Sequence, residues 1–471
     1  MLSYMGIKEL KNIKWIILAI ILTLTITLTL EVIPILIGIV VIVLVYLKFK
    51  DKGLFFLILT SYMTLVGEIN PHLRTAVHFF GFGGLLILFL RNYGFKFKDY
   101  KTIPNSVFYF WVLLIFAMFL SASFSNYPLT GFIKIIQLLY LISIIYLCYS
   151  LIRDDQYVKV VLFALITSSV LMGSSILINM IKYGFDPLQL VINAEYRSAG
   201  FLSNINALNL FFAVGIPISF SLLNHSQYRK YKKFLMFSLV IMVLGLTTTI
   251  SRSVILSLII SMGILLFHFN RRIFYKTAII TFLLLIIILL TPLANDFMLI
   301  FRIERGLSRR DLLWQLAFNI ISSRPLFGIG PGAYGFEMFN YFPVLLNSYD
   351  GQIFVDLHHK TMGFNNSHNF YLVLFTDLGV LGLLTSILLP YIFIKLAIKV
   401  VRTNKRFNPE DYRMNYGFLA IGIGLFVRGL FEGISLITYG WIAVDLPFWL
   451  IFTLLIHNYN NYVMLLQNQR G

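Results

Sequence analysis

Polar and apolar positions along this chain fall into long blocks: apolar runs of about 17 to 25 residues, each closed by a short charged or turn-forming cluster. A run of that length crosses a hydrocarbon core of roughly 30 Å as an α-helix, which satisfies its own backbone hydrogen bonds where no water is available. Strands of a barrel would alternate in polarity residue by residue, and these runs do not. The pattern predicts about fourteen spans, at 14–31, 32–48, 54–68, 75–90, 106–123, 132–152, 158–182, 207–223, 234–250, 254–270, 276–294, 370–395, 416–434 and 441–457. The expected fold class is therefore all-α, a polytopic transmembrane helical bundle of about 12–14 helices. Glu31 and Pro34 divide the first two spans, and the run after Phe370 is long enough to contain a kink near Gly379.

One segment breaks the pattern. Residues 301–366 are too polar for a bilayer and lead into Asn366-Ser-His-Asn-Phe-Tyr371, so chemistry is expected there. Within it, 308–324 reads as an amphipathic helix: Ser308 and Asp311 have capping-box spacing, Leu313, Leu316, Ala317 and Ile320 share a face, and Ser322-Ser-Arg-Pro325 ends it. It is too short to span and is expected at the membrane surface, one face buried in the interface or against the bundle. Gly328-Ile-Gly-Pro-Gly332 lacks the Gly-Lys-Ser/Thr of a phosphate-binding loop and reads as a sharp turn. Four regions follow: N-terminal helices over 1–182, central helices over 183–300, the large loop over 301–368, and C-terminal helices over 369–471.

Composition agrees with this class, since 59% hydrophobic and 12% charged residues leave too few charges to cover a soluble surface. The net charge of +18 fixes an expected orientation. Lys8, Lys11 and Lys14 precede the first span, and every second loop is basic, with Lys48/Lys50/Lys52, Arg91/Lys96/Lys98/Lys101, Arg153/Lys159, Arg229/Lys230/Lys232/Lys233, Arg271/Arg272/Lys276 and Lys399/Arg402/Lys405/Arg406. Such loops resist translocation, so both termini are expected in the cytoplasm, with 183–206, 249–253 and 301–366 outside. Basic loops facing one leaflet are explained by anionic lipid, which leaves no role for nucleic acid. The opening segment has a basic n-region and an apolar stretch without a small-residue cleavage site, the pattern of a retained signal anchor. Cys148, the only cysteine, excludes disulfides and cysteine metal sites.

Against that rule, exterior arginines need another explanation. They are Arg197, Arg252, Arg310 and the field of Arg302, Arg305, Arg309 and Arg324. Any one can be an interfacial arginine that snorkels to lipid phosphates. Converging, they would form a multidentate receptor for a phosphate or diphosphate, each charge-assisted bond contributing roughly 1.5–3 kcal/mol. His368 stands among Asn365, Asn366, Ser367 and Asn369 at the exterior start of a helix. A lone histidine there is commonly structural, but this one adjoins the arginines, and an imidazole suits removal of a proton from a sugar hydroxyl. A metal cluster of Asp356, His358, His359 and His368 is disfavoured because the exterior loops hold no Asp-x-Asp or Glu-x-Asp pair, so no metal is expected. Arg428 and Glu432, four apart, read as an ion pair on one helix that fixes packing near Asp445, with Gly429-x-x-x-Gly433 allowing close helix approach.

Four blocks in order, Tyr196-Arg-Ser-Ala-Gly-Phe-Leu-Ser-Asn-Ile-Asn206, Leu246-Thr-Thr-Thr-Ile-Ser-Arg-Ser253, Arg310-Asp-Leu-Leu-Trp314 leading to Arg324-Pro-Leu-Phe-Gly-Ile-Gly-Pro-Gly332, and Ser367-His-Asn-Phe-Tyr371 before Asp377-Leu-Gly-Val-Leu-Gly382, resemble the O-antigen ligase and O-antigen polymerase superfamily. The resemblance covers roughly 190–395; it departs in the helix count and in Asn-Ile-Asn where Asn-Pro-Asn is common. It implies a metal- and cofactor-independent, inverting glycosyltransferase of the GT-C type in the bacterial cytoplasmic membrane. The donor would be an undecaprenyl-diphosphate-linked saccharide and the acceptor another saccharide, with a flippase and a chain-length regulator as partners beside membrane lipid. By the same resemblance Arg197, Arg252 and Arg310 would hold the diphosphate and His368 would activate the acceptor, with Asn366, Asn369 and Trp314 in support. A chain rich in Lys, Ile, Asn and Phe points to a low-GC genome and favours polymerase over ligase. A lipid-linked oligosaccharide flippase is the reading from a different class; internal repeats would favour it, and none is seen between the halves.

Overall fold

The computed structural model describes residues 32–65, 71–94, 101–184, 202, 204–223, 225–301, 310–358 and 366–468. Among these residues every regular element is helical and there is no strand. The helices are α1 (Val32–Thr64), α2 (Pro71–Tyr93), α3 (Asn105–Ser123), α4 (Pro128–Leu151), α5 (Asp155–Tyr183), α6 (Ile205–Leu223), α7 (Lys232–Thr249), α8 (Arg252–Phe269), α9 (Arg271–Leu290), α10 (Leu293–Phe301), α11 (Arg310–Ser323), α12 (Tyr334–Glu337), α13 (Tyr349–His358), α14 (Phe370–Phe407), α15 (Pro409–Arg428) and α16 (Ile442–Asn468). Ten helices among the described residues are long and apolar enough to cross a membrane, and the protein is a multi-pass helical bundle. α5, α6 and α16 lie inside it, whereas α9 has no buried residue.

Side-chain caps start the helices where the apolar runs begin. Asp154 accepts from the Gln156 and Tyr157 amides before α5, Asn204 from Asn206 and Ala207 before α6, and Asn408 from Glu410 and Asp411 before α15. The expected spans at 32–48 and 54–68 are the two arms of α1, bent at Lys50, whose φ is 53°. The expected span at 14–31 lies outside the described residues. The expected span at 416–434 is corrected: α15 ends at Arg428, and the chain turns non-helically until α16. Gly429 and Gly433 are therefore not one face of a helix. Gly433 lies instead against Asn366, where a Cβ would sit 2.7 Å from the Asn366 Oδ1.

The basic loops meet at one end of the bundle. Lys52 pairs with Asp154 at 3.8 Å, Lys101 reaches His457 at 3.3 Å, His225 faces Glu410 at 3.3 Å and Lys399 donates to the Tyr459 hydroxyl at 3.1 Å. At the opposite end the polar segment folds into a cap. The apolar face of α11, with Leu312, Leu313, Leu316, Ala317 and Ile320, packs with Tyr334, Met338, Phe342 and Phe354 into a hydrophobic core separate from that of the bundle. That face is covered by the rest of the segment, and the cluster also meets Leu372 of α14 on the bundle. The expected helix at 308–324 is observed as α11, and Ser308 lies outside the described residues.

Gly328-Ile-Gly-Pro-Gly332 fastens this cap to α14. All three glycines have positive φ, as a sharp turn requires, and the turn docks on a break in α14 at Gly379 with φ 65° and ψ −150°. There the amides of Ile329, Gly330 and Val380 donate to the carbonyls of Thr376, Asp377 and Pro325 at 3.0, 3.0 and 2.9 Å, and the Gly332 amide donates to the Asp377 carboxylate at 3.0 Å. A Cβ at Gly379 would lie 2.2 Å from the Leu326 carbonyl oxygen, in a backbone region that only glycine occupies readily. Gly379→Ala is expected to lower stability by about 2–4 kcal/mol, from left-handed strain and overpacking together. Thermal unfolding in detergent measures this, and an unchanged midpoint would mean that the cap does not depend on the glycine break.

Candidate functional site

Three of the sequence blocks end at the cap end of the bundle, and local backbone geometry aims each one. α7 stops at Ile250, which is left-handed with φ 47°, and the chain reverses so that Arg252 is the first residue of α8. A β-branched residue in that conformation is strained, and such strain gathers at functional turns. Thr249 anchors the turn by donating to Asn209 at 2.6 Å. Arg310 is the first described residue of α11, where the apolar face of the cap helix begins. His368 precedes α14: Asn369 caps that helix by accepting from the Tyr371 and Leu372 amides at 3.0 and 3.1 Å, and Asn366 accepts from the His368 amide at 2.8 Å. Held from both sides, His368 takes a left-handed backbone with φ 50°.

Glu432, in the non-helical connection between α15 and α16, is where they meet. Its Oε1 pairs with Arg310 Nη2 and lies 3.4 Å from the Ser253 hydroxyl, while its Oε2 lies 3.3 Å from His368 Nδ1. The carboxylate has no exposed surface, whereas the side chains of Arg310 and His368 retain 16% and 23% exposure. The acid is thus the floor of the site, and the guanidinium and imidazole form its accessible rim. Burial pushes the Glu432 carboxyl up, but the hydrogen bond to His368 and the charges of Arg310 and Arg428 outweigh it and hold the group below its ordinary value. An ionised carboxylate only accepts hydrogen bonds, so Nδ1 of His368 is the donor to it, and in the neutral ring that tautomer leaves the lone pair on Nε2. Arg252 adjoins Ser253, and its charge and that of Arg310 oppose one another across the site.

Arg428 supports this floor from below. Fully buried, it donates to the carbonyls of Ile434 at 3.0 Å and Asn206 at 2.7 Å, tying the connection to the start of α6. This corrects the expected ion pair: because α15 stops at Arg428, Glu432 leaves the helix and pairs across the fold with Arg310 and His368. Asp445 is occupied locally, accepting from the Thr438 amide at 2.8 Å and hydroxyl at 2.9 Å. Trp314, one turn beyond Arg310, packs on Phe431 with ring centroids 6.2 Å apart and walls the site beside Glu432.

The structure thus brings Arg252, Arg310, His368 and Asn366 together, with Asn369 capping α14 beside them and Trp314 packed on Phe431. Arg197, Arg302, Arg305, Arg309 and His359 lie outside the described residues. No three histidine, cysteine or carboxylate side chains are grouped for a metal among the described residues. Glu432 is the member that hydrophobic periodicity misses, because an apolar run ending in Phe431 carries it into a span. The flanking Gly429 and Gly433, poor residues for a helix interior, were the signal that the helix ends first.

Residues 237–387 match the family model described as O-antigen ligase. No curated protein matches the chain. The matched region contains Arg252, Arg310, Trp314, Asn366, His368 and Asn369, and it bears out the resemblance to the O-antigen ligase and polymerase superfamily. It supports a membrane glycosyltransferase of that type.

Proposed function

Proceeding from that family match, we propose that this protein polymerises surface polysaccharide in the bacterial cytoplasmic membrane, transferring a saccharide from an undecaprenyl diphosphate carrier to an acceptor saccharide. The observation that carries this reading is the meeting of Arg310 and His368 on one buried carboxylate, beside the arginine that opens α8. In the proposed orientation the cap end faces the exterior and both termini are cytoplasmic. Arg252 and Arg310, with Arg197, hold the diphosphate; a helix start and guanidinium groups at one place suit an anion. Nε2 of His368 takes the proton of the acceptor hydroxyl. The oxygen so released forms a bond to the anomeric carbon as the bond from that carbon to the phosphate oxygen breaks, and its electron pair leaves with the diphosphate. Arginines facing the leaving group stabilise the charge that grows on it, which lowers the barrier. Attack opposite the leaving group inverts the anomeric carbon. Every step uses side chains of this chain, with no metal assigned.

Purified protein in lipid nanodiscs, given the undecaprenyl-diphosphate-linked repeat unit, is expected to extend the saccharide and release undecaprenyl diphosphate in equal amount. Absence of both products would refute the reading. Arg252→Lys is expected to lower turnover by about 10-fold or more, because a point charge does not reproduce planar, bidentate contact with phosphate. Full activity would return Arg252 to the class of interfacial arginines. A ligase using a lipid A core acceptor is the second reading, favoured by the description of the matching family. The material that accumulates in a deletion strain separates the two: single repeat units on the carrier indicate a polymerase, and full-length polymer on the carrier indicates a ligase.

A further inference from the structure

Among the described residues, the two oxygens of Glu432 each face one basic side chain, and the two side chains have different tasks. Oε1 holds Arg310, which on the reading above belongs to the diphosphate, and Oε2 holds His368, which belongs to the acceptor. With no exposed surface, the carboxylate is shielded from bulk solvent, so its charge is felt mainly by the groups around it. Ser253, at 3.4 Å from Oε1, is a weak and neutral substitute if the guanidinium leaves. Arg310 retains some exposed surface, whereas Arg428, fully buried and donating to the carbonyls of Ile434 and Asn206, adds a positive charge near Glu432 from a fixed position.

We propose that Arg310 exchanges between Glu432 and the donor diphosphate, so that donor binding itself turns His368 into the working base. Without donor, Arg310 neutralises Glu432 and the imidazole faces a carboxylate whose charge is already compensated. An arriving diphosphate, with more negative charge and more acceptor oxygens, draws Arg310 away. The charge of Glu432 then bears more heavily on the Nδ1–H of His368, strengthening Nε2 as a proton acceptor and stabilising the imidazolium that forms when the acceptor hydroxyl gives up its proton. No atom is transferred to Glu432; it is a positioning residue that couples the donor site to the base. This coupling rests on the glycosyltransferase reading, and it orders the reaction so that the acceptor is activated once a leaving group is in place.

The test uses Glu432→Gln in the full-length protein in nanodiscs, with inorganic pyrophosphate as the binding probe and the lipid-linked repeat unit as substrate. Removing the competitor is expected to tighten pyrophosphate binding about 5-fold or more, while turnover falls about 100-fold. Tighter binding with slower turnover is a split that a merely structural role does not produce. The gain is expected to vanish when Arg310→Gln is also present; tightening of equal size in that background would show a plain field effect and overturn the exchange. Glu432→Asp, which withdraws the charge by one methylene, is the second variant and should move both quantities the same way by less. Looser binding in either variant, or failure of both to fold, would assign Glu432 to structure and overturn the proposal. Wild-type protein that releases no undecaprenyl diphosphate overturns the glycosyltransferase reading itself, a result distinct from an active wild type whose variants lack the split.

Discussion

His368→Ala is expected to lower polymer formation by about 10²–10⁴-fold, with protein level and lipid-linked substrate unchanged. The expectation rests on geometry. Nδ1 of His368 faces a buried carboxylate at 3.3 Å, which leaves Nε2 to accept a proton, and the ring keeps an exposed edge where an acceptor sugar can arrive. His368 also holds a left-handed backbone, so alanine changes conformation as well as chemistry. His368→Asn separates the two effects: asparagine tolerates that backbone and can donate to Glu432, but it takes no proton at neutral pH. Both variants should be inactive. Gel analysis of polymer and mass spectrometry of the carrier-linked repeat unit provide the measurement, and polymer of normal length from His368→Asn would remove proton transfer by His368 from the mechanism.

Arg310→Gln is expected to damage both fold and reaction. Glu432 is wholly buried, and loss of its guanidinium partner leaves an under-compensated charge, a change that destabilises by about 3–5 kcal/mol in buried pairs. Turnover in the protein that does fold should fall about 10²–10³-fold, the usual loss when one stabilising group is taken from a developing anion. Adding Glu432→Gln to the same chain removes the stranded charge. The double variant is therefore expected to regain most of the thermal midpoint in detergent while remaining inactive. If stability and activity returned together, the role of Arg310 would be structural alone, since a diphosphate ligand cannot be replaced by neutralising its neighbour.

The Gly379 break and the Glu432 site illustrate how differently the two kinds of information are encoded. The membrane class, the helical spans, α11 and the bend near Gly379 follow from local rules, because a bilayer demands a run of about 20 apolar residues with every backbone group satisfied, and glycine permits what other residues resist. Arg252, Arg310 and His368 were also visible in sequence, as polar groups out of place against the charge rule and as parts of blocks that resemble a known family. Their meeting point was not. Glu432 stands 64 residues beyond His368 and 122 beyond Arg310, at the end of an apolar run that reads as membrane.

By itself the sequence determined that this chain is a multi-pass helical protein with a polar segment and a set of misplaced arginines and one histidine. The tertiary structure alone decided that α15 stops at Arg428, that the polar segment folds as a cap over its own core, and that one buried carboxylate divides itself between an arginine and an imidazole. The reason is physical: apolar length and glycine act within a turn or two of chain, whereas an ion pair depends on distance in space, and its strength comes from burial that only the assembled fold provides.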